Sequence, residues 1–233
     1  MEKGLCQSGR ASQANLFSGL SNADVADIVV SCSRRRYPRD AQVVRENERD
    51  DNIYLLEEGL LGVAQFAASG REVGFRELKP GDHFGELSAI DGAPRSASVV
   101  ALQDSTVTIM PFATFEELVH GNQAVRVAVL RYLTGLVRRL SDRVYEYSTL
   151  GVNNRIRAEL LRLADLGQDL DGVIRIYQPP THAQLAGRVS CNREAVSREL
   201  GRLEKHGLLR RQRGRWEIEN RDALQRLVDN DQN

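Results

Sequence analysis

Apolar positions in the first half of the chain recur at two different periods. Between Ser21 and about Arg34 they fall three and four apart, placing Val25, Ile28 and Val29 on one face. This predicts a short helix with Ser21 as N-cap and Asp24 favouring its first turn. From Arg35 to Met110 the texture changes to short β-type runs at 42–45, 53–56, 60–66, 72–78 and 96–101. Gly59, Gly70 and the Pro80, Gly81, Asp82 triplet supply the turns between them. Closely spaced short strands with such punctuation predict an antiparallel sandwich or barrel rather than a parallel βαβ sheet.

Past Pro111 the period becomes helical, first over 112–120 and then over 122–150 without a proline or strong break. Along the second segment Leu133, Leu136, Leu140, Tyr147 and Leu150 follow alternating steps of three and four or their sum, and Val129 extends the row upstream. That is the seam of a coiled coil, with Arg143 interrupting it, and it predicts a parallel homodimer; burial against the chain's own β domain is the other use of such a seam. The pattern breaks at 151–154, where Gly151 is the expected hinge. It resumes over 155–166 as an amphipathic helix carrying Ile156, Leu160, Leu161 and Leu163. Segments 181–190 and 192–206, then a hairpin over 208–218 turning near Gly214, have the proportions of a winged helix-turn-helix. Leu224, Leu227 and Val228 predict a terminal helical turn.

Composition adds a polarity to this layout. The 233 residues carry 32 Lys+Arg and 32 Asp+Glu, yet residues 21–120 hold 10 basic and 17 acidic side chains whereas residues 181–216 hold 9 and 3. A basic C-terminal segment fits a polyanion partner as well as a solvated surface. Cys6, Cys32 and Cys191 are too few and too widely spaced for a disulfide framework or a CxxC metal pair and read as free thiols. No apolar run is long enough to span a bilayer and the first ten residues lack a secretory core, so the expected location is the cytoplasm, with no membrane partner. The histidines at 83, 120, 182 and 206 are scattered, and no Ser-His-Asp, HExxH or GKS/GKT motif is present, which argues against an enzyme.

Two strings carry candidate chemistry. In the first, Phe84, Gly85, Glu86, Leu87 and Ser88 precede Pro94, Arg95, Ser96, Ala97, Ser98 and Val99. A glycine entering a short helical turn makes a cradle for an anion, Arg95 and Ser96 complete it, and Glu86 can accept from a sugar hydroxyl. A β-turn with a surface Glu–Arg pair would have the same spacing. The second string runs from Thr181 to Leu200. On a helix from Asn192, Arg193, Glu194, Ser197, Arg198 and Gly201 share one face, opposite Val196, Leu200 and Leu203. The polar face is a reader of DNA or a solvated surface.

The first string resembles the phosphate-binding cassette of cyclic-nucleotide-binding domains. With the second it makes residues 16–227 similar to the cyclic AMP receptor protein (catabolite activator)/FNR family of transcriptional regulators, in its cyclic-nucleotide-binding branch. The resemblance implies an α+β chain in three parts: a cyclic-nucleotide-binding, jelly-roll-like β-roll over 1–120, a long dimerisation helix over 121–150 and a winged helix-turn-helix over 151–233. It implies that Glu86 binds the ribose 2′-hydroxyl and that Arg95 and Ser96 bind the cyclic phosphate. Gly85, Leu87, Ser88 and Ala97 complete the cassette. The family's Thr-Ser pair that reads adenine falls on Leu140 and Ser141, so selection of adenine over guanine is expected to be weaker, and Ser96 favours guanine in eukaryotic relatives. The allosteric ligand implied is therefore cyclic AMP, with cyclic GMP as a second candidate. No other cofactor and no metal are implied. Family base contacts map onto Arg193, Glu194 and Arg198, on a palindrome with TGTGA and TCACA arms; Ser197 shares their face, and Thr181 and Arg188 are candidates for phosphate contacts or structure. Double-stranded DNA, a second copy of the chain and RNA polymerase are the implied partners. Two alternatives stand beside this reading. A redox or gas sensor would need a cysteine cluster, which this chain lacks, or an axial haem ligand such as His83 or His120. A cyclic-nucleotide module acting on a protein would not need the helix-turn-helix.

Overall fold

The computed structural model describes residues 15–17, 19–66 and 72–230. The expected Gly70 turn and Cys6 lie outside them. The chain divides into two compact units between Val137 and Arg138.

In the first unit, helix α1 (Asn22–Val30) is capped as expected, by a capping box in which Ser21 and Asp24 satisfy each other's backbone N–H groups. Eight strands follow: β1 (Ser33–Tyr37), β2 (Gln42–Val44), β3 (Ile53–Glu58), β4 (Leu61–Phe66), β5 (Glu72–Leu78), β6 (His83–Phe84), β7 (Ser98–Ala101) and β8 (Ser105–Met110). They form two antiparallel four-stranded sheets, ordered β1-β8-β3-β6 and β2-β7-β4-β5, the β-roll that was expected. Between β6 and β7 lies a short helix, α2 (Glu86–Asp91). Strand β3 shows what holds the unit together. Successive side chains of a strand point to opposite faces. Tyr54 and Leu56 therefore enter one core with Val44, Leu61, Val99 and Val107. Ile53 and Leu55 enter another with Val25, Val29, Met110 and Phe115. With both faces covered, the strand reads as an unbroken apolar run.

The first helix ends earlier than expected, at Val30 rather than near Arg34. Residues 33–36 form instead an exposed edge strand on β8, one of whose arginines, Arg34, pairs with Glu57 at 2.8 Å. An edge strand with a polar outer face has no apolar alternation to announce it, so β1 escaped the pattern, as did the two-residue β6 and the mixed β8.

After α3 (Phe112–Gly121), Asn122 caps the long helix α4 (Gln123–Thr149) by accepting from the backbone N–H of Ala124 and Val125. The predicted seam is corrected here. Val129 is buried in the first unit's core and Leu150 in the second's, so neither is free for a partner. Arg143 does not interrupt a seam: its guanidinium turns to Glu159 at 2.9 Å and to the carbonyl of Arg188 at 3.1 Å. The exposed apolar row runs through Leu130 (63 % exposed), Val137 (61 %), Leu140 (49 %), Val144 (64 %) and Tyr147 (41 %), steps of seven, three, four and three.

The second unit contains α5 (Val152–Asp165), β9 (Gln168–Leu170), β10 (Val173–Tyr177), α6 (His182–Arg188), α7 (Arg193–Lys205), β11 (Leu209–Gln212), β12 (Arg215–Ile218) and α8 (Arg221–Asn230). The predicted hairpin is β11–β12, joined by β10 and β9 into a four-stranded antiparallel sheet, and the expected terminal turn is a ten-residue helix. Ile156, Leu160, Leu161 and Leu163 are buried with Leu185, Val196, Leu200, Leu203 and Trp216. Gly151, the expected hinge, caps α5 with an ordinary extended φ of −63°, and a Cβ there would meet nothing within 4 Å.

Inside this apolar core lies an ion pair, Arg157 Nε to Glu199 Oε1 at 2.6 Å, with Asn154 Oδ1 and the Leu227 carbonyl accepting from Arg157 Nη1 at 2.6 and 3.2 Å. Removing one partner of such a pair strands the other charge, whereas replacing both with apolar residues leaves stability nearly unchanged. Glu199→Leu is expected to destabilise the second unit by ~3–5 kcal/mol in urea unfolding. The double variant Arg157→Met with Glu199→Leu should recover most of that loss.

Candidate ligand site and nucleic-acid interface

The cradle begins at Gly85, which starts α2 with φ +97°. A Cβ there would lie 2.5 Å from Arg95 Nη1 and 2.6 Å from the Asn52 carbonyl, so only glycine lets these groups approach. Arg95 is 3 % exposed. Its Nη1 donates to the Gly85 carbonyl at 2.9 Å, and its Nη2 to the Asn52 carbonyl at 2.6 Å and to Asp50 Oδ2 at 2.7 Å. Asp50 is itself held: its Oδ1 closes a turn onto the Asn52 backbone N–H at 3.1 Å, and its Oδ2 also accepts from Tyr54 Oη at 2.6 Å. Burial alone would push Asp50 up, but the Tyr54 and Arg95 hydrogen bonds outweigh it and hold its carboxyl below the usual carboxylate range. The guanidinium sits over the Tyr54 ring, which stacks on Phe84 with centroids 4.9 Å apart.

Two buried polar atoms of the cradle have no partner: Arg95 Nε, a donor, and Glu86 Oε2, an acceptor. Burial raises the Glu86 pKa, and a hydrogen bond from its own backbone N–H, with Arg76 and Arg95, opposes that shift only in part. Ser88 is buried, Ala97 half-buried, and Leu87 and Ser96 exposed, with the Ser96 carbonyl accepting from Gln65 Nε2 at 2.6 Å. Leu140 and Ser141 are exposed on α4 in the second unit. A second cluster joins β5, β6 and α4. Arg76 donates to Tyr132 Oη, which donates in turn to the His83 carbonyl at 3.3 Å, and the Tyr132 and His83 rings lie 4.2 Å apart. Burial, with help from Arg76, takes His83 down to about 4, so the ring is neutral. His120 is exposed and engages the Glu116 carbonyl. Among the described residues no group of three or more His, Cys, Asp or Glu could hold a metal ion, and no helix is long and apolar enough to cross a membrane.

In the second unit, Thr181 caps α6 in a capping box with Gln184, and Asn192 caps α7 by accepting from the Ala195 backbone N–H at 2.8 Å. The caps set the turn between the helices, and the amphipathic α7 does the rest. Ala195, Val196, Glu199, Leu200 and Leu203 are buried; Arg193, Glu194, Ser197 and Arg198 are exposed together on the outer face. Arg188 is not on that face: its side chain is largely buried and its guanidinium lies 3.3 Å from Glu159, beside Arg143 and Arg162.

A model of the cyclic nucleotide-binding domain matches residues 34–122, and a model of the Crp-like helix-turn-helix domain matches residues 154–227. The cyclic AMP receptor protein of Thermus thermophilus is 30 % identical over 219 residues, covering 91 % of this chain and 96 % of that protein. The CRP-like cAMP-activated global transcriptional regulator of Mycobacterium tuberculosis is 26 % identical over 199 residues, covering 85 % and 89 %. Among solved structures, a CooA mutant from Carboxydothermus hydrogenoformans superposes with a TM-score of 0.77 at 19 % identity, covering 87 % of this chain and 90 % of that one, a likeness of fold.

The chain belongs to the CRP/FNR family. This CRP/FNR protein is thus a ligand-binding, DNA-binding transcriptional regulator of a non-catalytic family.

Sequence reasoning about this CRP/FNR regulator missed Asp50, Asn52, Tyr54, Arg76 and Tyr132 around the cradle. The Asp50-x-Asn52 turn was legible as turn chemistry. Its contact with Arg95, 45 positions away, was not. Gly85→Ala is expected to force both Arg95 and the Asn52 carbonyl aside while straining a positive φ. The variant should be less stable by upwards of ~1 kcal/mol in thermal unfolding of the first unit; an unchanged melting temperature would show that the cradle is looser than its contacts indicate.

Proposed function

We propose that this regulator is a homodimer switched by cyclic AMP, with residues 1–120 binding the nucleotide, 121–150 pairing the subunits and 151–233 reading DNA. The observation that carries the ligand reading is the buried pair of orphan atoms flanking Gly85. Arg95 Nε offers a donor to an anion, and Glu86 Oε2 offers an acceptor to a hydroxyl. Buried polar groups without partners are uncommon and suit a ligand that supplies both. A cyclic nucleotide does so, its phosphate on Arg95 and Ser96 and its ribose hydroxyl on Glu86, with Gly85, Leu87, Ser88 and Ala97 forming the wall. Leu140 cannot hydrogen-bond a base and Ser141 can, so cyclic GMP is expected to bind too, within about tenfold of cyclic AMP.

The exposed row on α4 supports a dimer in which Leu130, Val137, Leu140, Val144 and Tyr147 meet their counterparts. The dimer places α7 of each subunit in successive major grooves, with RNA polymerase as its further partner. Arg193 and Arg198 suit guanine O6 and N7, and Glu194 suits a cytosine amino group, as in TGTGA and TCACA arms. Thr181, the N-cap of α6, is the candidate for a phosphate contact; Arg188, engaged with Glu159, serves the fold instead.

Calorimetry tests the site. Wild type should bind both nucleotides, and Arg95→Leu should lose about a hundredfold or more; equal binding by the two proteins rules out the assignment. Because Glu86 accepts more strongly when ionised and its pKa is raised above the ordinary 4.5, affinity should weaken as pH falls through that raised value. Glu86→Gln should flatten the profile. For the dimer, Val144→Glu should sediment as a monomer, and a persistent dimer would place the interface elsewhere.

A further inference from the structure

His182 opens α6, and its ring links α7 and β11. Nδ1 lies 2.8 Å from Ser197 Oγ on α7, and Nε2 lies 3.1 Å from Arg211 Nη1 on β11. Arg211 is held in turn by Glu204 near the end of α7, at 2.5 Å. A guanidinium only donates, so Nε2 must be the nitrogen that keeps its lone pair, and the ring hydrogen sits on Nδ1. Nδ1–H therefore donates to Ser197 Oγ. Partial burial first, then Arg211 and Arg193, lower the His182 pKa from its ordinary 6.5, and Glu204 opposes this only in part, so the ring is neutral at physiological pH.

A serine hydroxyl facing base edges ordinarily reads either a donor or an acceptor. Here the hydrogen bonds form a chain with one direction, from Arg211 to His182 to Ser197, headed by a positive charge. Each donation polarises the next group, so a hydroxyl that already accepts from the imidazole is the better donor onward. Other hydroxyls on helices of this chain, those of Thr134, Ser148 and Thr149, bond to the carbonyl four residues back. Ser197, by contrast, is exposed on the outer face of α7 among Arg193, Glu194 and Arg198.

We propose that His182 is a positioning residue for DNA recognition: it fixes the polarity of the Ser197 hydroxyl, so that Ser197 donates to a base acceptor such as guanine O6 or N7, thymine O4 or adenine N7 and discriminates against a cytosine amino group there. The inference rests on the reading of the outer face of α7 as the base reader.

The test is binding-site selection on the full-length protein, with and without cyclic AMP, for wild type, Ser197→Ala, His182→Ala, the double variant and His182→Asn. The position read by Ser197 is the one whose preference Ser197→Ala abolishes. There, wild type should favour an acceptor over cytosine by about fivefold, the worth of one hydrogen bond. His182→Ala should lose that preference at the same position, leave the positions read by Arg193, Glu194 and Arg198 intact, and add nothing in the Ser197→Ala background. His182→Asn, whose amide can also donate, should restore part of it. A selective wild type whose preference survives His182→Ala overturns this inference alone, and so does a His182→Ala variant that weakens all sequences alike. A wild type that selects no sequence overturns the base-reader reading and this inference with it.

Discussion

A guanidinium taken out of water has to be given acceptors, and each compact unit of this protein is arranged around one that is. In the first, Arg95 is surrounded by the carbonyls of Gly85 and Asn52 and the carboxylate of Asp50. In the second, Arg157 is surrounded by Glu199, Asn154 and the Leu227 carbonyl. Unpaired, either charge would cost several kcal/mol, comparable with the whole stability of a small domain. The backbone details around Arg95 follow from that requirement: a left-handed glycine at 85 for close approach, and an Asx turn at 50–52 that aims both a carboxylate and a carbonyl at one side chain.

The two arginines differ in what they leave over. Arg157 Nε and Nη1 are spent on protein acceptors deep in a core, which makes the residue a structural element. Arg95 keeps a buried Nε without a partner in a cradle that also holds an unpartnered carboxylate oxygen. Asp50 offsets the charge of Arg95 and fixes its orientation. Glu159 plays a related part in the second unit, where it gathers Arg143, Arg162 and Arg188 and so neutralises part of their charge. Arg193 and Arg198 remain exposed on the outer face of α7, and Arg202 and Lys205 are exposed nearer its end.

The long helix α4 shows how one element serves several masters through periodicity. Val125 and Val129 complete the core of the first unit, while Arg143 and Tyr147 bond to groups of the second. A helix repeats every 3.6 residues, so these faces coexist with an exposed row at near-heptad spacing. Two heptad registers share Leu133, Leu140 and Tyr147. They differ in whether 136, 143 and 150 or 130, 137 and 144 complete the row.

By itself the sequence determined everything that local chemistry controls. Ser21, Thr181 and Asn192 before helical periods, glycines at turns, β-branched runs and an amphipathic α7 depend on residues within one or two turns of each other. These features yielded an antiparallel sandwich or barrel, the long helix and the proportions of a winged helix-turn-helix, while the β-roll and the cassette from Gly85 to Ala97 followed from the family resemblance. Tertiary structure decided whatever depends on which face is covered and by what. Leu150 and Val144 are both apolar, and only packing shows that the first is core and the second surface. Arg34, Arg35 and Arg36 form a strand because β8 offers them an edge, against the local continuation of a helix. Asp50 reaches Arg95 and His182 reaches Arg211 across separations of 45 and 29 residues. Such pairings leave no periodic trace, because the energy of a buried charge or a directed hydrogen bond depends on distance in space, and chain order constrains that distance only over a few residues.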